Sequence, residues 1–405
     1  MGARGVALLC VLLAAAACFV PPAFAANTVI LVSIDGFRAD YLERGITPNL
    51  LRLSREGVRA TAMEPVFPSL TYPNHYSIVT GLYPDHHGIV GNSMRDPEMP
   101  GHLFALSNRA ELAVPRWWEG AIPIWETLHR HGLKSATVFW PGSETVIHGV
   151  QPDFWMPFDH RVTIDARVDK VLELLSRPEA ERPVFLTLYF DSVDHQGHVA
   201  GPESREVDDA MAQVDAGLGR LFAALRERGL AERTDLVIVS DHGMAGTSPD
   251  RMVSLDDYTD ASGFDSINSG AVAGIYPRPG AERAIARDLV ERPLPHANCW
   301  AAHDIPARLH YGANPRVAPY FCVAEVGWLL KTHDARPIVV KGMHGYDPAT
   351  PSMAALFVAS GPAFKPGVVI PRLRVVDVYP LLAKLLGVPP EPNDGSIDPL
   401  LPALR

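Results

Sequence analysis

Five short clusters along the chain carry side chains able to bind metal ions or to attack phosphorus. The first, Ile34-Asp35-Gly36-Phe37-Arg38, sets a carboxylate after an apolar run, with a glycine that lets the backbone turn closely beneath a ligand. The second runs from Phe67 to Tyr76 and places Thr71 just before Pro73, a residue suited to a first helical turn. Free N–H groups and the helix dipole at such a position favour a phosphate oxygen; a plain N-capping role for Thr71 is the alternative. Asn92, in Gly91-Asn92-Ser93-Met94, can donate its amide to an oxyanion or merely occupy a surface turn. The third cluster, Phe190 to Pro202, holds two overlapping Asp-x-x-x-His pairs, Asp191/His195 and Asp194/His198, and spacing does not choose between them. The fourth sets Asp241 beside His242 at the end of an apolar run, and the fifth places His344 in a glycine-rich stretch.

Three carboxylates, three imidazoles and one hydroxyl thus fall just after apolar runs or in glycine-marked loops. Oxygen and nitrogen donors without thiolates suit Zn²⁺ and tolerate Mn²⁺ or Co²⁺, whereas a Mg²⁺ site would not take so many imidazoles. Seven groups exceed what one tetrahedral ion binds, so two ions are implied. Two-metal sites perform phosphoryl chemistry, and Thr71 fits the nucleophile.

The elements that must position these groups are apolar, β-rich runs: Thr28 to Ile34, Ser135 to Trp140, Val184 to Phe190, Leu236 to Ser240 and Ala354 to Ala359. All five are expected to be buried parallel strands. Helical patterns lie between them, such as Thr47 to Gly57 and Glu206 to Gly229. The alternation predicts an α/β fold with a mostly parallel central sheet and helices on both faces. Ligands of such sheets sit beyond the carboxyl ends of the strands, where Asp35, Asp194 and Asp241 are expected. From Gly243 to Lys341 the chain is richer in Pro and in short strands, for example Ala271 to Tyr276 and Phe321 to Leu330. It is read as a smaller antiparallel lobe, 244–343, inserted into a single catalytic domain spanning 26–405.

The chain has 405 residues, 47% of them hydrophobic and 20% charged, which excludes a disordered tail or a small disulfide scaffold. Its net charge of −10 argues against a generic nucleic-acid surface, so no nucleic-acid duplex is expected as a partner. Arg4, the apolar run Val6 to Val20 and Ala23-Phe24-Ala25 form the three parts of a signal peptide, residues 1–25, that directs the protein to a periplasm or to secretion. No later run is long enough for a stable membrane span. Cys10 and Cys18 leave with the leader, so Cys299 and Cys322 remain, either as a disulfide or as two buried thiols.

Taken in order, these motifs resemble the nucleotide pyrophosphatase/phosphodiesterase family of the alkaline phosphatase superfamily. The matching segments include Asp35-Gly36-Phe37-Arg38, Thr71-Tyr72-Pro73-Asn74-His75-Tyr76, Gly91-Asn92-Ser93-Met94, Asp194 with Gly197-His198 and Gly201-Pro202, Ser240-Asp241-His242-Gly243-Met244 and His344-Gly345. The resemblance implies an alkaline phosphatase-like fold and two Zn²⁺ ions per chain. It selects Asp194 and His198, which with His344 would hold one ion, and assigns Asp35, Thr71, Asp241 and His242 to the other. It further implies that Thr71 becomes a covalent nucleotidyl-threonine, that Asn92 bonds a phosphoryl oxygen, and that the substrate is a small nucleotide diester or pyrophosphate yielding a nucleoside 5′-monophosphate. Tyr72, directly after the nucleophile, holds the base-stacking position, with Trp155 or Phe158 as the opposite wall. Leu70 departs from the Lys of many animal members. The extra domains of those members are missing, so the sequence resembles a stand-alone bacterial form. Lysophospholipid or choline phosphodiesterases and phosphomonoesterases of the same superfamily are the alternative functions.

Overall fold

The computed structural model describes residues 27–268, 270–333 and 340–405, so the expected leader 1–25 lies outside the described residues. Eight strands form the central sheet: β1 (Thr28–Ile34), β2 (Val58–Glu64), β3 (Ser135–Val138), β4 (Phe154–Met156), β5 (Phe185–Phe190), β6 (Thr234–Val239), and two from late in the chain, Phe357–Ser360 and Val368–Arg374. Four more strands build a separate sheet and are numbered in chain order: β7 (Phe264–Asn268), β8 (Val272–Pro277), β9 (Ala297–Ala301) and β10 (Tyr320–Ala324). The late pair is therefore β11 (Phe357–Ser360) and β12 (Val368–Arg374). The spatial order of the large sheet is β12-β2-β11-β6-β1-β5-β3-β4.

Strands β1 and β6 show why this sheet is buried on both sides. In β1, Val29 and Leu31 join one apolar cluster while Ile30, Val32 and Ile34 join the other; in β6, Val237 and Val239 divide in the same way from Leu236 and Ile238. Side chains alternate across a strand, so a continuous run of β-branched and aliphatic residues serves both faces at once. Each fully buried aliphatic side chain contributes about 1.5–3 kcal/mol. One face is covered by the helices α1 (Pro48–Glu56), α4 (Ile164–Leu175) and α6 (Arg205–Glu227), and the other by α2 (Thr71–Thr80), α3 (Ile124–Arg130) and α7 (Val378–Leu386). Helix α5 (Ser192–Ala200) sits at the carboxyl end of β5. Helix α6 starts where Ser204 accepts a hydrogen bond from the Val207 N–H, and it runs 23 residues, close to the Glu206 to Gly229 span expected.

The mostly parallel α/β architecture stands as expected, with one correction: the run Ala354 to Ala359 is not a parallel strand. Every pairing in the large sheet is parallel except those of β11, which is antiparallel to both β6 and β2. An apolar run carries no sign of its direction. Here the chain arrives from the site end, where Gly243 N–H bonds Met353 O and Ala39 N–H bonds Ala354 O, so it can only run downward into the sheet. A second correction concerns Phe321 to Leu330. It divides into β10 and the short strand Leu329–Lys331, because a turn closed by the Trp328 N–H to Glu325 O bond interrupts it.

Strands β7 to β10 pair antiparallel throughout, in the order β7-β8-β10-β9. Cys299 and Cys322 lie directly opposite one another in β9 and β10 and form a disulfide. Ala245–Gly246 pairs with Gly342–Met343, so the two ends of this excursion lie side by side.

A buried histidine just after α2 leads to a pH prediction. His87 is fully buried; its Nδ1 accepts the Ile89 N–H at 3.0 Å, and its Nε2 lies 3.0 Å from Ser77 Oγ. Burial pushes its pKa down to about 3 from an ordinary 6.5. Between these values the unfolded chain binds the proton and the folded chain does not. The contribution is therefore complete above pH 6.5 and is lost as pH falls toward 3, at ~1.4 kcal/mol per pH unit. Denaturant unfolding at pH 7.5 and 4.5 should show a loss in wild type that His87→Gln reduces by on the order of 2 kcal/mol. Equal losses in the two proteins would rule this origin out.

Candidate active site

Strands β6, β1 and β5 are neighbours in register, Ser33 opposite Val239 and Ile34 opposite Phe190, so their carboxyl ends finish together. Asp35 follows β1 directly, Asp241 stands two residues beyond β6, and α5 rises just after β5. In α5, residues four apart share a face. Asp194 and His198 lie on one such face, with His198 Nε2 3.5 Å from Asp194 Oδ2. The competing pair is not brought together: Asp191 bonds the buried Arg167 guanidinium at 2.7 Å, and His195 is exposed. Gly36, at φ 68°, lets β1 pass beneath this helix, since a Cβ there would stand 2.9 Å from Asp194 Cα.

His344 enters from the far end of the excursion, where the Lys341 N–H bonds His198 O at 2.8 Å. Two groups result, Asp35 with Asp241 and His242, and Asp194 with His198 and His344; within each, ligand-type atoms lie within 4.8 Å of one another. The groups adjoin, for the His242 and His344 rings stack with centroids 3.5 Å apart.

The hydrogen bonds around the three imidazoles decide their tautomers. Nδ1 of His198, His242 and His344 faces Gly342 O at 2.8 Å, Gly243 O at 2.9 Å and Ser69 O at 2.8 Å. Each Nδ1 must carry the proton to donate, which leaves each Nε2 with a bare lone pair. Those lone pairs point at carboxylate oxygens: His242 Nε2 is 2.9 Å from Asp241 Oδ2 and 3.5 Å from Asp35 Oδ1, and His344 Nε2 is 3.6 Å from Asp194 Oδ1. These three oxygens are buried and accept no hydrogen bond; the His75 Nδ1 that approaches Asp241 Oδ2 to 3.3 Å bonds Thr71 O instead. Lone pair against lone pair is repulsive unless a cation lies between, so the donor set fits metal ions in both groups.

The electrostatics agree. Burial, then the carboxylates of Asp241 and Asp194, push Asp35 well above the usual carboxylate range. Burial, then the imidazoles of His242 and His198, hold His344 neutral, well below the ordinary histidine value. Burial opposes charge on both Asp241 and His242, but each outweighs it for the other, with His75 adding to the pull on Asp241. Asp241 falls well below the usual carboxylate range and His242 rises, a demand for positive charge between them that a metal ion would meet in place of a ring proton. Tyr189 donates to Asp35 Oδ2 at 2.6 Å, and the Gly36 N–H reaches Asp241 Oδ1 at 3.2 Å.

Thr71 is the first residue of α2, and the N-cap is Leu70, whose side chain makes no capping bond. The hydroxyl instead stands 3.3 Å from His242 Nε2, which removes the capping alternative. Asn74 holds the approach to the helix, accepting the Val66 N–H at 2.7 Å and donating to Leu70 O at 2.9 Å. Asn92 is buried rather than in a surface turn, and its Oδ1 accepts the Tyr72 N–H at 2.9 Å, so its NH₂ is the end not used in that bond.

A cavity of about 310 Å³ opens beside Thr71 and Asp35 and is walled by Tyr72, Trp118, Trp140 and Phe158. Of the two residues offered as the wall opposite Tyr72, Phe158 lines it and Trp155 does not. Alternation along β4 packs Phe154 and Met156 into the core and turns Trp155 outward, 42% exposed. Sequence reasoning passed over Trp140 and Tyr189 as cavity residues. Their signal was position: both lie at the carboxyl ends of parallel strands, where ligands of such sheets bind.

The profile of the family described as type I phosphodiesterase / nucleotide pyrophosphatase matches residues 29–347. An uncharacterized pyrophosphatase/phosphodiesterase of Schizosaccharomyces pombe is 38% identical over 392 residues, which are 94% of this chain and 81% of that protein. Human bis(5′-adenosyl)-triphosphatase is 38% identical over 371 residues, 91% of this chain and 80% of its own length. Human ectonucleotide pyrophosphatase/phosphodiesterase family member 1 is also 38% identical, over 93% of this chain but 42% of that longer protein. A structure of murine ectonucleotide pyrophosphatase/phosphodiesterase 5, in an inactive form with AMP, matches at a TM-score of 0.89 and 34% identity, covering 94% of this chain and 100% of that one. These relatives are eukaryotic, and nothing in them points to the bacterial source expected above.

Proposed function

The chain belongs to the type I phosphodiesterase / nucleotide pyrophosphatase family, and from that premise we propose that it hydrolyses diester or pyrophosphate bonds of nucleotides, releasing a nucleoside 5′-monophosphate through a covalent threonine intermediate. The observation that carries this reading is the set of bare imidazole lone pairs facing donor-less carboxylate oxygens directly beside the Thr71 hydroxyl. Asp35, Thr71, Asp241 and His242 would hold one Zn²⁺, and Asp194, His198 and His344 the second. When bound, such ions supply Lewis-acid stabilisation of the phosphoryl charge and of the entering and leaving oxygens.

The chain's own residues do the rest. Thr71 Oγ1 attacks phosphorus in line, forming the Oγ–P bond as the bond to the leaving oxygen breaks, and the hydroxyl proton ends on the leaving group. Water then cleaves the Oγ–P bond, and the proton it gives up restores the Thr71 hydroxyl. The NH₂ of Asn92 and the backbone N–H of Thr71 receive the non-bridging oxygens; the next N–H groups of α2 do not, since Tyr72 N–H bonds Asn92 Oδ1, Pro73 has none and Asn74 N–H bonds Leu70 O. Tyr72 and Phe158 flank the base in the aromatic cavity. Residues 26–405 act as one catalytic domain with the lobe 244–343 inserted, and the leader 1–25 exports the protein to a periplasm or beyond the cell. The Cys299–Cys322 disulfide and the ectonucleotide relatives support that export. Among the described residues, no helix is long and apolar enough to cross a membrane.

The deciding experiment compares initial rates of the zinc-loaded protein on the nitrophenyl ester of thymidine 5′-monophosphate and on nitrophenyl phosphate. The diester should be the faster substrate by a wide margin. Tyr72→Ala should raise KM for the nucleotide ester about tenfold, the equivalent of ~1.4 kcal/mol of lost stacking, with a smaller change in kcat. Faster turnover of the monoester would replace this reading with a phosphomonoesterase, and release of phosphocholine from its nitrophenyl ester at a higher rate would replace it with a choline phosphodiesterase.

A further inference from the structure

One buried side chain outside the ligand set touches three of the elements that build the site. His75 lies one turn beyond Thr71 in α2 and is fully buried. Its Nδ1 stands 2.9 Å from Thr71 O and 3.3 Å from Asp241 Oδ2. Its Nε2 lies 2.8 Å from Ser33 Oγ, two residues before Asp35 on β1. The bond to Thr71 O places the ring proton on Nδ1, where it also faces the Asp241 carboxylate as an electrostatic contact, so in the neutral ring Nε2 accepts from the Ser33 hydroxyl. The ring is caged edge-on by Trp140 and Tyr189, with centroids 5.0 Å and 5.3 Å away, and the Trp140 indole N–H bonds the His75 carbonyl at 3.1 Å.

An aromatic cage of this kind would accept a phenyl ring at lower cost, because burying imidazole requires a partner for each nitrogen. Every partner that His75 finds belongs to the strand of Asp35, to the turn of Thr71 or to Asp241 itself. We propose that His75 is a positioning residue that ties the nucleophile-bearing turn of α2 to the Asp241 carboxylate and to β1, so that Thr71 and the first metal group keep one fixed geometry. This rests on the two-metal phosphodiesterase reading above.

Two substitutions separate this role from simple packing. His75→Asn keeps a donor near the Nδ1 position but removes more volume; His75→Gln fills more of the space and keeps a partner for Ser33 but loses that donor. Full-length wild type and both variants would be titrated with zinc against a chromophoric chelator and assayed on the thymidine 5′-monophosphate nitrophenyl ester. The expected result for His75→Gln is one of the two zinc affinities weakened ~10–100-fold and kcat lowered by a similar factor, with KM nearly unchanged. His75→Asn should recover most of both losses despite melting at the same or a lower temperature. Losses in His75→Asn as large as or larger than those in His75→Gln, or wild-type behaviour in both, would overturn the proposal. A wild type that binds two zinc ions yet hydrolyses no nucleotide ester would remove only the substrate assignment, and the zinc affinities would still decide the role of His75. A wild type that binds no zinc would overturn both readings.

Discussion

Thr71→Ala is expected to lower nucleotide diester turnover by roughly 10⁴-fold or more while leaving the fold, the zinc content and AMP binding in place. The hydroxyl is the one nucleophilic group at the start of α2, and it faces His242 Nε2 at 3.3 Å instead of capping the helix. Removing it deletes the atom that forms the covalent bond, whereas the six carboxylate and imidazole groups keep their mutual arrangement. The helix should tolerate the change, because alanine is the best helix former and the lost hydroxyl makes no capping bond. Stopped-flow assays with the nitrophenyl ester should show a product burst in wild type if hydrolysis of the adduct is slow, and none in the variant. Turnover by Thr71→Ala within about tenfold of wild type, with zinc bound, would dismiss the covalent route.

Removal of metal should have the next largest effect. Dialysis against a strong chelator is expected to bring turnover to background, and added zinc should restore it. The physical ground is the same opposition of lone pairs: Asp35 Oδ1, Asp194 Oδ1 and Asp241 Oδ2 are buried without a hydrogen bond, and the Nε2 atoms they face carry no proton in the neutral rings. A chain folded around such a site without cations keeps three carboxylates in a small buried volume, which is costly. Zinc should therefore also stabilise the fold, by about 4 kcal/mol per site when free zinc exceeds Kd a thousandfold. Calorimetry of the stripped and reloaded protein would show this as a rise in Tm that saturates at two ions per chain. Full turnover with no zinc detectable by elemental analysis, or an unchanged Tm on reloading, would contradict a metal-built site.

The strands that lead to Asp35, Asp194 and Asp241 were legible in the sequence because a strand buried on both faces leaves a continuous apolar signature, and the residues after it are where such a sheet binds ligands. The helices around Pro48 and Arg205 were legible through their caps and 3.6-residue spacing. What a run of apolar residues does not record is direction, so the antiparallel course of Phe357–Ser360 emerged only when the chain was seen to arrive from the site end of the sheet. Local pattern also could not say that Trp155 turns outward from an edge strand while Phe158 reaches the cavity, since both are aromatic and two residues of chain decide which way each faces.

Residue types and order alone were enough to propose a two-metal site of carboxylates, imidazoles and one hydroxyl, because such side chains in glycine-marked loops have few other uses in such number. Their grouping was a different matter. Asp191 and Asp194 have the same spacing to a histidine, and only the buried guanidinium of Arg167, taking Asp191 for itself, leaves Asp194 to meet His198 and His344. His75 was invisible as more than part of a motif, because its meaning lies in three contacts separated by 4, 42 and 166 positions along the chain. Chemistry is a property of single side chains and can be read one residue at a time; proximity across the chain is a property of the folded backbone, and tertiary structure alone decides it.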